Sequence, residues 1–200
     1  MPHEPHHHHG NPEDLTAYLA KLDSPDRDEW QKPDEVLRAI GIRAGQTACE
    51  IGAGSGYFTL RMAAQVGAGG QVFAVEVEPR LLIVLRDRLV AAGARNVTPV
   101  LGLDADPLLP RASCDLILIV NTFHHFSDGT AYLKRLVEAL KPGGRLVNID
   151  FHNRETPVGP PVEHRINRAV FLTYARAAGL KLAGEHELLP HQYFLVLEPR

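Results

Sequence analysis

Glu50-Ile51-Gly52-Ala53-Gly54-Ser55-Gly56-Tyr57 places an acid ahead of three glycines at alternate positions, after the apolar pair Ala48-Cys49 and before a helical pattern. Glycines so spaced let a chain turn sharply from strand into helix and bring bare amide groups against a ligand. Counted from Gly52, the third glycine of a G-x-G-x-x-G dinucleotide fingerprint falls on position 57, which is tyrosine. Further polar groups follow at set distances. Glu76 stands about 20 residues after the loop, where a carboxylate accepts both hydroxyls of a ribose. Asp104 and Asp106 share one turn after the next apolar run. His124 and His125 offer imidazoles, which titrate near neutrality and suit general-base work.

The elements that position these residues are legible as alternating buried strands and helices. Strands are expected over 47–51, 72–76, 97–101, 115–120 and 145–151, and helices over 57–66, 79–92 and 130–140. Lys141-Pro142-Gly143-Gly144 reads as a helix stop that launches the fifth strand. This alternation predicts a parallel sheet covered on both faces. The ending departs from it: after a helix over 165–178, strands over 180–186 and 192–197 are too closely linked to run parallel and must pair antiparallel. Ahead of the sheet, Leu15, Leu19 and Leu22 mark a short amphipathic helix broken at Ser24-Pro25, and Val36, Leu37 and Ile40 mark a second one between Pro33 and Gly41. Having no strand partner, these two helices are expected to lie across the sheet as a cap.

Taken together, the E-x-G-x-G-x-G loop, the strand-end acid Glu76, the segment Gly102-Leu103-Asp104-Ala105, the strand leading to Asn121-Thr122-Phe123-His124-His125-Phe126, and K-P-G-G resemble, in order, the motifs of class I S-adenosylmethionine-dependent methyltransferases. The strand-four loop is similar to that of the ubiquinone and menaquinone biosynthesis type. The resemblance covers roughly residues 35–198 and implies an α/β, Rossmann-like fold: a mainly parallel seven-stranded sheet with an antiparallel C-terminal hairpin and helices on both faces. It implies S-adenosylmethionine as cofactor, held by Glu50, Gly52, Ala53, Gly54, Ser55, Gly56, Tyr57, Glu76, Val77, Asp104, Ala105 and Asn121. Leu103 is inserted relative to the family's G-D-A order, so the acid meeting the adenine amino group is Asp104 or Asp106, with Asp104 favoured because Ala105 follows it. His124 and His125 border the reacting methyl and are the catalytic candidates.

Composition narrows the partners. Lys and Arg number 21 against 24 Asp and Glu, a net charge of −3 that gives no electrostatic case for nucleic acid. With 44% apolar residues in 200, one domain with a full core is expected. No run reaches membrane-spanning length and no leader pattern opens the chain, so a cytoplasmic enzyme with a small-molecule methyl acceptor is expected. Cys49 and Cys114 read as small core residues rather than a disulfide framework. The expected organisation is a His-rich disordered tail over 1–10, able to bind transition metals adventitiously, a helical cap over 11–40, and the methyltransferase domain over 41–200. No metal site is assigned: Asp150 and His152 share a strand face that His124 could join, but three such residues are a weak pattern. Glu163-His164-Arg165 sets an acid, a base and a cation together on the acceptor side, or simply begins a helix. A non-catalytic cofactor-binding or metal-handling protein is the alternative function, and Tyr57 disfavours the other one, an NAD-dependent oxidoreductase. Acceptor identity and oligomeric state have no sequence signal.

Overall fold

The computed structural model describes residues 14–200; the His-rich segment 1–10 lies outside the described residues. Seven strands form one sheet: β1 Thr47–Ile51, β2 Gln71–Glu76, β3 Val97–Leu101, β4 Cys114–Val120, β5 Leu140–Phe151, β6 Leu180–His186 and β7 Gln192–Pro199, in the order β3-β2-β1-β4-β5-β7-β6. The first five pair parallel, while β7 runs antiparallel to both β5 and β6. The reversed hairpin read from the short β6–β7 link is therefore present. Strand order reverses between β1 and β4, and a sheet of this kind binds ligands outside the carboxyl ends of the strands at that switch point.

The central strands are apolar on both sides because helices cover both. One face packs Cys49, Ile117, Ile119, Leu146 and Leu195 under α6 (Gly129–Ala139) and α7 (Arg168–Ala177). The other packs Ala48, Leu116, Leu118, Val147 and Phe194 under α3 (Pro33–Ile40) and α4 (Thr59–Val66). A smaller group, Ala53, Ala74, Leu85 and Leu89, seats α5 (Pro79–Ala91). Helix starts follow capping chemistry. Asp14, Asp128 and Asn167 each accept a first-turn amide, and Pro33 and Pro79 stand where a helix needs no N–H.

Three local features differ from the sequence reading. β5 begins at Leu140, because Lys141-Pro142-Gly143-Gly144 is an irregularity within an extended run: Cys114 pairs Leu140 and Leu116 pairs Arg145, so the segment bulges from the ladder. Between α1 (Leu15–Leu22) and α3 lies a further helix, α2 (Arg27–Gln31), whose five residues are too few to show a period. And α3 is no surface cap: Val36, Leu37 and Ile40 are at most 1% exposed, inside the core with Met62 and Val66. Among the described residues no helix is long and apolar enough to cross a membrane.

Candidate active site

β1 ends in Glu50 and Ile51, and the backbone then turns through Gly52 at φ +74° and Gly54 at φ +53°. Side-chain-bearing residues rarely adopt such angles. At Gly52 there is also no room: a Cβ would stand 2.6 Å from Thr122 Cγ2, on the loop after β4. The turn thus brings the first two segments of the switch point into contact. Glu50 is 4% exposed and accepts the Thr59 hydroxyl at 2.5 Å, and burial pushes its carboxyl up to about 8.

Glu76, at the end of β2, is 6% exposed. Its Oε2 accepts the Gly54 N–H at 2.8 Å, and its Oε1 accepts the N–H groups of Val77 at 2.8 Å and Glu78 at 3.0 Å. Three of a carboxylate's roughly four acceptor sites are thereby engaged. Burial raises its pKa, and the three backbone donors oppose that. Glu76 hence holds the glycine loop to the second strand as well as standing where a ribose is expected. Beyond it, Val77 is 36% exposed and Leu103 56% exposed, on segments joined by the Gly102 N–H to Glu76 carbonyl bond at 3.0 Å. Two bare apolar side chains there suit a flat aromatic ring. Asp104 and Ala105 are exposed on the same turn; Asp106 is committed to it, accepting the Leu108 N–H at 2.8 Å and lying 3.8 Å from Arg135.

At the end of β4, Asn121 adopts φ +54°, and its side chain closes a ring of amides. Asn121 Nδ2 donates to Gln31 Oε1 at 3.3 Å, Gln31 Nε2 to Gln192 Oε1 at 2.8 Å, and Gln192 Nε2 to Asn121 Oδ1 at 2.5 Å. Gln31 and Gln192 are buried, so α2 is tied to the carboxyl edge of the sheet. The rest of the cap grips the glycine loop. Leu22 Cδ1 lies 3.2 Å from where a Gly54 Cβ would be, Ser55 Oγ donates to Asp23 at 2.7 Å, and Tyr57 donates its hydroxyl to Asp28 at 2.5 Å. Ser55, Tyr57 and Asn121, three of the expected cofactor residues, are thus also the cap's anchor points. An open groove lined by Glu35, Arg38, Ala39, His186, Glu187 and Leu188 contains none of these residues.

Phe123–His125 forms a single 3-10 turn beyond Asn121. His124 Nδ1 is 3.2 Å from Asp150 Oδ2, while the exposed His125 lies against His124 with ring centres 4.1 Å apart and planes tilted by 45°. His152 lies past the end of β5, and burial depresses its pKa. Among the described residues no three His, Cys, Asp or Glu side chains are placed to hold a metal. Arg165 is buried and donates to the carbonyls of His152, Arg154 and Pro160, so it fixes the loop after β5, while Glu163 and His164 are exposed. Sequence reading missed Asp23, Arg27 and Gln192, and it grouped Asp150 with His124 only as a weak metal pattern. Asp23 and Arg27 belong to segments too short for periodicity, and Gln192 is joined to the site by sheet pairing alone.

A parallel sheet with a reversed terminal hairpin and a glycine-rich turn at its switch point defines the Rossmann-like class whose members bind a nucleoside at this edge. Residues 49–146 match the family model described as a methyltransferase domain. Curated relatives include ubiquinone/menaquinone biosynthesis C-methyltransferase UbiE of Laribacter hongkongensis, 30% identical over 62% of this chain and 51% of the relative. Another is a protein-L-isoaspartate O-methyltransferase of Ignicoccus hospitalis, 36% identical over 56% of this chain and 50% of that protein. The chain spans about half the length of the curated relatives it matches. Among solved structures, a SAM-dependent methyltransferase from Aquifex aeolicus superposes with a TM-score of 0.87 at 26% identity, covering 92% of this chain and 97% of that one. The [4+2]-cyclase SpnF shares the fold at a TM-score of 0.68 and 21% identity, over 78% of this chain and 58% of its own. The chain carries a class I S-adenosylmethionine-dependent methyltransferase domain, and S-adenosylmethionine is the cofactor of that class. The residues present fit it. A cradle that a Cβ would fill, a strand-end carboxylate, two bare apolar side chains and a buried cationic nitrogen without a partner among the described residues surround the loop.

Proposed function

We propose that this protein transfers the methyl group of S-adenosylmethionine to a small acceptor that must lose a proton to react. The carrying observation is the His124–Asp150 pair, set at the ends of β4 and β5 beside the glycine loop of β1. A bound cofactor supplies a methyl already activated on a sulfonium, so alignment and water exclusion are the protein's main tasks. In this reading Gly52, Ala53, Gly54, Ser55 and Gly56 curve around the amino-acid end, and Glu76 meets the ribose. Val77 and Leu103 flank the adenine, with Asp104 and Ala105 at its edge. Asn121 borders the reacting end, and the α1–α2 cap closes over it. With Asp150 accepting from Nδ1–H, the Nε2 of His124 is left as an acceptor for the substrate's proton. His125, exposed and tilted against His124, covers part of that ring.

The near-neutral charge and the kinship with quinone-pathway C-methyltransferases support a small organic acceptor. Trp30 and Phe151, with ring centres 5.6 Å apart near the end of β5, favour a planar one. Two thiols, Cys49 and Cys114, support a cytoplasmic location. Incubating the protein with tritium-labelled S-adenosylmethionine and a panel of phenols, quinols and carboxylic acids tests the reading. Label is expected in a phenol or quinol. Firm cofactor binding with no label transferred to any acceptor would favour a cofactor-binding protein without transferase activity, as the shared fold of a cyclase shows is open to this architecture.

A further inference from the structure

We propose that Arg27 receives the carboxylate of the cofactor's amino-acid end, so that the cap contacts the ligand through a charge that the sheet itself does not supply. This rests on the S-adenosylmethionine reading above.

Arg27 opens α2, directly over the residue that ends the glycine motif. Its guanidinium carbon is 3.8 Å from the centre of the Tyr57 ring, and Nη1 donates to the Leu22 carbonyl at 2.9 Å. Its Nε has no access to solvent and, among the described residues, no hydrogen-bond partner. Burial pulls its pKa down, opposed by the nearby Tyr57, Glu50 and Asp23, and an arginine remains cationic under such a shift. Arg27 as a whole is half-buried, and the part of its guanidinium that leaves water without a bonded partner does so at a cost.

The acids around it are all committed elsewhere. Asp23 takes the two Arg88 nitrogens at 2.9 and 2.6 Å and the Ser55 hydroxyl. Asp28 takes Arg61 at 3.0 Å and the Tyr57 hydroxyl. Glu50 takes Thr59. Arg61, the other guanidinium near the Tyr57 ring at 4.5 Å, is satisfied by Asp28 and the Tyr57 carbonyl. Arg27 is thus a charge whose anion is not among its described neighbours.

The ligand chemistry that fits is a zwitterion. Arg27 supplies a cation at one end of the glycine loop, where backbone amides and carbonyls are also presented, and an amino acid carries a carboxylate and an ammonium two bonds apart. A guanidinium fork matches a carboxylate in a way a single amine does not. The ligand's carboxylate would thus add a tie to α2, which Asp28 and Gln31 already hold against the loop and the sheet edge.

The test compares two nucleosides that differ at that end. S-Adenosylhomocysteine carries the carboxylate and ammonium; 5′-methylthioadenosine carries neither. Both are titrated calorimetrically into the full chain and into Arg27→Gln and Arg27→Lys, with a thermal melt of each variant. Arg27→Gln is expected to weaken S-adenosylhomocysteine by about 10- to 100-fold, the loss typical of a charged hydrogen bond, and to leave 5′-methylthioadenosine within about twofold. Arg27→Lys, which keeps the charge and the stem, should show the same selectivity at smaller amplitude and serves if the glutamine variant melts early. Equal weakening of both nucleosides, or of neither, overturns the proposal. A wild-type chain that binds neither nucleoside overturns the cofactor reading itself. A wild-type chain that binds NAD in an Arg27-dependent way assigns the cation to a phosphate instead.

Discussion

His124 Nδ1 faces Asp150 Oδ2 across 3.2 Å, and Asp150 is wholly buried, its other oxygen accepting the Phe151 N–H at 2.8 Å. The aspartate cannot rotate away without breaking that backbone bond, so it sets both the orientation and the tautomer of the ring. His124→Asn should lower turnover about 100-fold or more with cofactor affinity near wild type. Asp150→Asn, which permits the wrong tautomer, should lower turnover at least about tenfold, again sparing affinity. His125→Asn should do less than either. Single-mutant rate profiles against pH check this; an unchanged acidic limb in the His124 variant would remove the base from the mechanism.

Glu50 predicts a pH dependence of stability. Its carboxyl ordinarily titrates at 4.5 and burial raises it to about 8, so the folded state keeps a proton that the unfolded chain has lost. The contribution is full below about 4.5 and is lost as pH rises toward about 8. Glu185 and Asp23, held low by Arg168 and Arg88, act in the opposite sense and at more acid pH. Without ligand, melting temperature should fall across that window and fall less in Glu50→Gln, which can still accept from Thr59. A parallel slope in the variant would assign the proton elsewhere.

Because Glu76 ties Gly54 to Val77 and Glu78, its removal has two readouts. Glu76→Ala should lose about 1–3 kcal/mol of cofactor binding and, in the absence of ligand, melt earlier. Chemical denaturation and calorimetry on the same sample separate the two. A loss of binding alone would mean that the loop holds its shape without the carboxylate.

The cap prediction follows from where the core stops. α3 is buried with Met62 and Val66, whereas α1 has no buried residue and α2 buries Gln31 alone. A chain beginning at Lys32 should stay folded, lose most of its affinity for the cofactor product, and transfer no methyl. Full activity in that truncation would take the cap out of the mechanism.

Much of this was legible because it rests on short-range rules. Alternating apolar runs gave the parallel strands, the 180–197 spacing gave the reversed hairpin, and the alternate glycines marked the turn at the switch point. What escaped depends on long-range pairing. Asp150 and His124 were grouped only as a weak metal pattern, and that they pair with each other follows from β5 lying beside β4, while Gln192 meets Asn121 because β7 lies beside β5, a relation no local pattern encodes. Arg27 sits in a helix of five residues, below the length at which periodicity speaks. K-P-G-G misled in detail because the same residues serve a turn or a bulge, and only the strand register distinguishes them.

The most direct measurement of the central claim is a calorimetric titration of the full chain with S-adenosylhomocysteine and, separately, with NAD, repeated on Gly54→Val. Gly54 holds φ +53°, and a branched side chain there enters the cradle as well as straining the turn. The account predicts saturable one-to-one binding of S-adenosylhomocysteine to the wild type, none to a Gly54→Val protein that still melts cooperatively, and no heat with NAD. Binding of NAD without S-adenosylhomocysteine, or undiminished S-adenosylhomocysteine binding in Gly54→Val, would contradict it.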